Sequence, residues 1–394
     1  MQLDFHYYAT YCAAYLAGYS HDESMTIAYS AQFVDCCSKT LLYKIGGTPH
    51  AATTQLQLEL MEAPTNLTGL QDITRIWASF HFLPKDLYAK PKRRVSKRYR
   101  RKFRMICGTN SELLVNTVEL ARGKSLQAVG VAMHVLADTW AHKYFAGTPS
   151  LSINNIGSDL YEIVPGSDEE IRISFNHNPT AVDSPDNHSY TNSIYQGDEN
   201  SIMNLGHGRV GHFPDYSWAR YRYMPSWGNF METVKDNPSD YTHAFCQMIY
   251  AMKCLRTEGG KFETYRYDTA AAAPYAHEIR EILETRSLDS SEDWCRLGER
   301  LSGCEIEPFD IEKYQEEYMN APADAKESTF LGKFILAALS QKSMVTHSIY
   351  NSGNRLAGVS VDYDKKGFRG IKDFRVLIAE NAGEMEEEAR KITE

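Results

Sequence analysis

MHVLADTWAHKYFAG, residues 133–147, is the stretch on which the reading of this chain turns. Val135, Leu136, Ala137, Ala141 and Phe145 recur at helical spacing, and His134, Asp138 and His142 follow one another at i, i+4 and i+8. At about 100° per residue the three polar side chains drift only about 80° around the axis, so they share one stripe. Their outer members lie about 12 Å apart along that axis, too far for one ion to bind both. A His134/Asp138 pair and an Asp138/His142 pair can each hold a cation, with the middle carboxylate as the bridge. The alternative is a buried polar stripe satisfied by hydrogen bonds, and the rest of the chain has to decide between them.

Composition sets the frame. The chain has 394 residues, 43% hydrophobic and 24% charged, as in a soluble globular protein with a sizeable core. A net charge of −9 argues against general affinity for nucleic acid or anionic membranes. It leaves room for a local basic surface, and Lys90–Arg104, KPKRRVSKRYRRKFR, supplies ten Lys or Arg in fifteen residues. That stretch fits an anionic partner (a phosphate-rich substrate, nucleic acid or lipid headgroups) and equally a solvated helix face. No run of about 18 apolar residues occurs, and MQLDFHYYAT lacks the basic and apolar regions of a signal peptide. The expectation is therefore a cytoplasmic protein. Eight cysteines without C-x2-C spacing, including the adjacent Cys36 and Cys37, point to reduced thiols.

Around residues 133–147 the chain reads mainly as helices. Residues 4–17 form one helix that stops at Gly18, and Glu23–Ser38 a second. In an antiparallel hairpin His6 and Asp35 then both lie about 18 Å from the turn, as neighbours. Residues 39–75 mix loop and short elements. Ile76–Pro84 sets His81 between Phe80 and Phe82, a setting where a histidine is either core or ligand. Helices are expected over 110–120 and 125–145, broken at Gly123, followed by a loop-rich insertion or lid over 148–205 with a short hairpin near 160–175. The chain returns through LGHGRVGHFPD, 205–215, where His207, His212 and Asp215 stand among Gly206, Gly208 and Gly211. Further helices are expected over 237–255, 263–300 and 308–342, with an acidic helical tail over 372–394. The expected fold is all-α, a multi-helix domain over 1–255 with a C-terminal helical extension over 256–394 packed upon it.

The candidate ligands are His6, Asp35, His81, His134, Asp138, His142, His207, His212 and Asp215. Histidine and aspartate without cysteine suit zinc in a hydrolytic site. In their order along the chain, DFHYY, AYSAQFVD, HVLADTWAH and GHGRVGHFPD resemble the zinc-dependent phospholipase C and S1/P1 nuclease superfamily, through a bacterial family related to it. The resemblance covers about residues 1–255. It implies a helical fold and a centre of two or three zinc ions that cleaves phosphate esters. It further implies that Asp138 bridges two metals, with His134 and Asp35 completing one site and His6 the other. His142 and Asp215, with His207 or His212, would hold a third ion. His81, in competition with His50, would be the remaining imidazole of the first. Where secreted members of the superfamily begin at a tryptophan whose amino group binds metal, this chain opens Met1-Gln2.

The expected activity is hydrolysis of a phosphodiester, a phospholipid headgroup or a nucleotide, with Asp35 and Asp138 in catalytic positions and Asp35 orienting or deprotonating the water. Tyr7, Tyr8, Phe82 and Trp218 are the aromatic candidates for facing the substrate, and could equally be core. Two other classes stand beside this one: a metal-stabilised binding or structural protein without turnover, and an HD-type phosphohydrolase built on His21-Asp22.

Overall fold

The chain opens with a π-helical turn, Asp4–Ala9, that runs into α1 (Thr10–Leu16) and stops at Gly18, whose φ of 91° suits glycine. These observations come from a computed structural model that describes residues 1–46, 52–56, 67–157, 159–164, 166, 169–178, 180–193, 197–229 and 231–360. His50 and the expected tail helix over 372–394 lie outside the described residues.

Hydroxyl caps set most of the following helix starts. Ser20 and Glu23 form a capping box at the head of α2 (His21–Phe33). This helix ends five residues before the expected Ser38, because the Ser38 hydroxyl caps α3 (Lys39–Lys44) by accepting the Leu41 N–H. Asp35 consequently sits in the turn after α2 rather than on it. α4 (Leu67–Phe80) is longer than the short elements expected before residue 76, with polar Gln71, Asp72 and Arg75 on the outer face while Ile73, Ile76 and Phe80 face inward. Ser96 caps α5 (Lys97–Phe103), Ser111 caps α6 (Glu112–Leu120) and Ser125 caps α7 (Leu126–Ala141).

α7 is buried on nearly every side, packed against α2 and the later helices. Gly130 permits the contact with α2: a Cβ there would lie 2.5 Å from the Ile27 carbonyl oxygen. α7 also stops short of the expected residue 145, with His142 as its C-terminal cap.

The insertion holds a short helix, α8 (Leu151–Asn154), and more strand than expected. β1 (Tyr161–Ile163) and β2 (Glu170–Arg172) form the anticipated hairpin, Tyr161 opposite Arg172. β3 (Ser174–Asn176) and β4 (Ser189–Thr191) pair in parallel. β5 (Arg220–Tyr223) and β6 (Thr233–Asp236) extend the first pair into an antiparallel sheet of order β2-β1-β5-β6. The fold is mainly helical, as expected, and it adds small sheets that a strictly all-α reading does not contain. The short strands were hidden by polar, turn-rich sequence.

α9 (Asn237–Arg256), α10 (Thr269–Ala272), α11 (Ala276–Glu284), α12 (Ser291–Ser302), α13 (Gln315–Asn320) and α14 (Phe330–Asn351) follow among the described residues. α12 packs on the N-terminal π turn and α14 on α7 and α4. One hydrophobic core therefore joins residues before and after position 255. A second, aromatic core of Phe82, Phe145, Tyr190, Phe213, Trp218, Tyr221 and Tyr223 lies under the sheet. All eight cysteines are free. Among the described residues no helix is long and apolar enough to cross a membrane.

Candidate metal centre

Five of the expected ligands meet at the level where the α1/α2 hairpin, the end of α4 and the last turns of α7 converge. His6 comes from the π turn, Asp35 from the turn after α2, His81 from the residue after α4, and His134 and Asp138 from successive turns of α7. Asp138 is the hub: His6 Nε2 lies 3.1 Å from its Oδ1, and His81 Nδ1 and His134 Nε2 each lie 3.2 Å from its Oδ2. Asp35 closes the other side, 3.7 Å from His81 Nδ1 and 3.9 Å from both His6 Nε2 and His134 Nε2. Two overlapping groups with ligand spacing result, His6/His134/Asp138 and Asp35/His81/His134. A third group, His142/His207/Asp215, stands beside them, with His142 Nε2 2.9 Å from Asp215 Oδ1.

Hydrogen bonds to backbone fix which ring nitrogen faces the centre. A carbonyl oxygen can only accept, so the nitrogen against it carries the proton. His134 Nδ1–H donates to Ala31 O at 2.9 Å, His81 Nε2–H to Thr54 O at 3.0 Å, His142 Nδ1–H to His81 O at 2.7 Å and His207 Nδ1–H to Gly211 O at 2.7 Å. In the neutral ring the opposite nitrogen is then a bare lone pair. The bare His134 Nε2 lies 3.3 Å from His81 Nδ1, and Asp138 Oδ2 lies 3.2 Å from each. With the His81 ring neutral these are three converging acceptors, which repel unless a positive charge, a proton on His81 Nδ1 or a metal ion, stands among them. This donor set fits a divalent metal, and the backbone bonds are the outer support that ligating imidazoles ordinarily have. His6 is the exception, its Nδ1 buried without a partner while its ring stacks 3.9 Å from that of His134.

Electrostatics agree for three of the rings and differ for His81, where burial lowers the ring but Asp138 and Asp35 outweigh it and raise it above its ordinary value. Burial lowers His6, His134 and His207 from 6.5 to about 4, so they are neutral near pH 7. Burial opposes the Asp138 charge, but His142, the Met1 amine, His134 and His6 outweigh it and hold the carboxyl well below its usual range. Asp215 is likewise held low against burial, by the Met1 amine and His207. Burial raises Asp35, whose side chain is 24% exposed, more than Asp138 at 1% or Asp215 at 8%. The Met1 amine is a feature the sequence reading missed: it donates to Asp138 Oδ1 at 3.1 Å and Asp215 Oδ1 at 3.0 Å, and lies 3.2 Å from His142 Nε2. Burial works against its charge, yet Asp138, Asp215 and Asp35 raise it to about 11. A positive group thus already links the two halves of the centre.

The other expected residues sit apart from the ligand groups. His212 is 65% exposed, with Nδ1 3.5 Å from Asp215 Oδ2, so His207 rather than His212 completes the third group. The Gly206 and Gly211 turns, φ 53° and 57°, fold His207 inward and leave His212 on the outer side. Phe82 is fully buried and stacks on the His142 ring at 4.6 Å, a wall of the centre. Tyr7 donates to Glu307 O and packs on Phe309, and Trp218 donates through Nε1 to Ser287 O beneath Arg286, so both belong to packing. Tyr8 lines a separate surface recess with Ser291, Glu292, Cys295 and Arg296. His21 begins α2, its Nδ1 2.8 Å from the Tyr11 hydroxyl, outside all three ligand groups. The basic stretch forms α5 and its approach. Lys92, Arg93, Arg94, Lys97, Arg98 and Arg100 are exposed, while Lys102 turns inward to Glu199 at 2.9 Å.

Fold and site together define a mainly helical protein with a buried histidine–aspartate centre of metal-ligand geometry. The chain belongs to a protein family of unknown function, DUF6765, whose pattern it matches over residues 1–349. No curated protein and no solved structure matches it.

Proposed function

We propose that this chain is a metal-dependent hydrolase of phosphate esters, with zinc the favoured ion and a helical architecture of the phospholipase C/P1 nuclease kind. The observation that carries the reading is the convergence of the His6, His81 and His134 rings on Asp138 and Asp35, with His81 and His134 each held by a backbone carbonyl. His134, His81 and Asp35 would hold one ion, His6 and Asp138 a second beside it, and His142, His207 and Asp215 a third. Bound there, the ions supply charge neutralisation on phosphate oxygens and activation of water. Asp138, with one oxygen toward each of the first two groups, keeps them in register. Asp35 is the more exposed carboxylate and the one placed to orient an entering water and accept its proton. Phe82 excludes solvent from the His142 side.

Deep burial of the ligands favours one other reading, a metal-stabilised protein without turnover. Elemental analysis of the purified chain, followed by assay against bis-p-nitrophenyl phosphate, separates the two. Stoichiometric zinc with hydrolysis abolished in Asp138→Ala supports the enzyme. Full zinc with no activity above that variant leaves the structural reading, and absence of bound metal after zinc supplementation sinks both.

A further inference from the structure

The segment Ala52–Leu56 touches the centre through one residue, Thr54, that contributes no ligand. Thr54 is fully buried and uses three of its polar groups at once. Its carbonyl accepts His81 Nε2–H at 3.0 Å, its hydroxyl donates to Val34 O at 2.6 Å, and its N–H donates to Cys37 O at 3.0 Å. Val34 and Cys37 bracket Asp35, so the same residue sets the position of Asp35 and the tautomer of His81. The preceding carbonyl, Thr53 O, accepts a bond of 2.7 Å from Lys342 Nζ on α14, a lysine only 6% exposed. Gln341, its neighbour, donates to Ser79 O at 3.0 Å, two residues before His81, and to Thr117 Oγ1 at 3.0 Å. Consecutive residues of a helix more than 250 positions downstream thus grip both the segment that carries His81 and the segment that orients it.

We propose that Thr54 and Lys342 are positioning residues for the Asp35/His81/His134 ion. The inference rests on the metal reading above and goes beyond it in assigning α14 a part in the centre. Lys342 carries its ammonium into a position only 6% exposed, and one of its bonds goes to the strap carbonyl whose neighbour fixes a ligand. With the strap displaced, His81 is free to take the other tautomer, which puts a proton where the ion must bind.

The test is zinc and cobalt titration of the full-length protein with Thr54→Val, Thr54→Ser and Lys342→Met, read as affinity per site and as the cobalt visible spectrum, with thermal unfolding in parallel. Expected are three outcomes together: about tenfold or greater weakening of one metal equivalent in Thr54→Val and Lys342→Met, an unchanged affinity for the His142/His207/Asp215 ion, and recovery in Thr54→Ser. Uniform weakening of every ion in step with a lowered Tm, or Thr54→Ser no better than Thr54→Val, overturns the assignment in favour of plain packing. Wild-type affinities in all three variants overturn it while leaving the metal reading intact. A wild-type chain that binds no metal overturns both.

Discussion

The two halves of the centre are built on different principles. Around Asp138, the ligands ride on helices or on the first residues beyond them, and the protein holds each imidazole at a distance set by helix packing. Around Asp215, two of three ligands come from the glycine-rich return 205–215, where turns rather than helix faces decide what points inward. A helix-borne ligand can be read from periodicity, because residues four apart share a face. A loop-borne one cannot, since His207 and His212 differ only in which turn follows them.

That contrast can be broken experimentally. The largest effect is expected at Asp138: Asp138→Asn should weaken metal binding by at least about a hundredfold at the two groups it joins, beyond the 10–100-fold typical of an outer support residue. Isothermal titration with zinc checks this, and retention of tight binding at the helical groups would falsify the bridging role. Next comes metal removal. Ions present at about a hundred times Kd contribute about 2.7 kcal/mol to stability, so chelation should lower Tm by roughly 3 °C in a chain of this size, readable by calorimetry with and without EDTA.

His207→Ala should remove one metal equivalent and spare the helical groups. An equal loss at all groups would mean the halves are not separable. A pH series on chelator-treated protein sharpens the same point. His6, His134 and His207 are folded with pKa values lowered from 6.5 to about 4, so the unfolded chain binds protons first and stability should fall as pH drops from about 6.5 toward about 4. His207→Gln should remove one part of that slope, seen in urea midpoints across the range. Smallest of all, His212→Ala, at an exposed position, should change stability by less than about 0.5 kcal/mol and leave metal stoichiometry alone.

Much of this was legible in the chain. The His134/Asp138 stripe and the meeting of His6 with Asp35 across a hairpin follow from helical rise and spacing, whereas the pairing of His142 with Asp215 was implied only by the resemblance. What stayed hidden was held by backbone. The carbonyls of Ala31, Thr54, His81 and Gly211 carry no side-chain signature, though each decides which nitrogen of a histidine is free. Asp35 was placed on a helix that Ser38 in fact forbids, because a serine that caps the next helix looks the same as one ending the last. Tyr7 and Trp218 stand near candidate ligands in sequence, which leaves substrate-facing and core roles open, and aromatic rings with one buried polar tip serve packing as readily.

Gly130 carries one more consequence. It lies one turn before His134, and a side chain there would press on Ile27 O, on Ser30 Cβ at 2.6 Å and on the amide nitrogen of Ala31 at 3.0 Å. Ala31 is the residue whose carbonyl selects the His134 tautomer. The hydrogen atom at position 130 therefore works as a gauge block between two helices, and the chemistry of a nitrogen one turn away depends on its thickness. Gly130→Ala, an overpacking change of about 1–3 kcal/mol, would act as a detuning of the centre as much as a loss of stability.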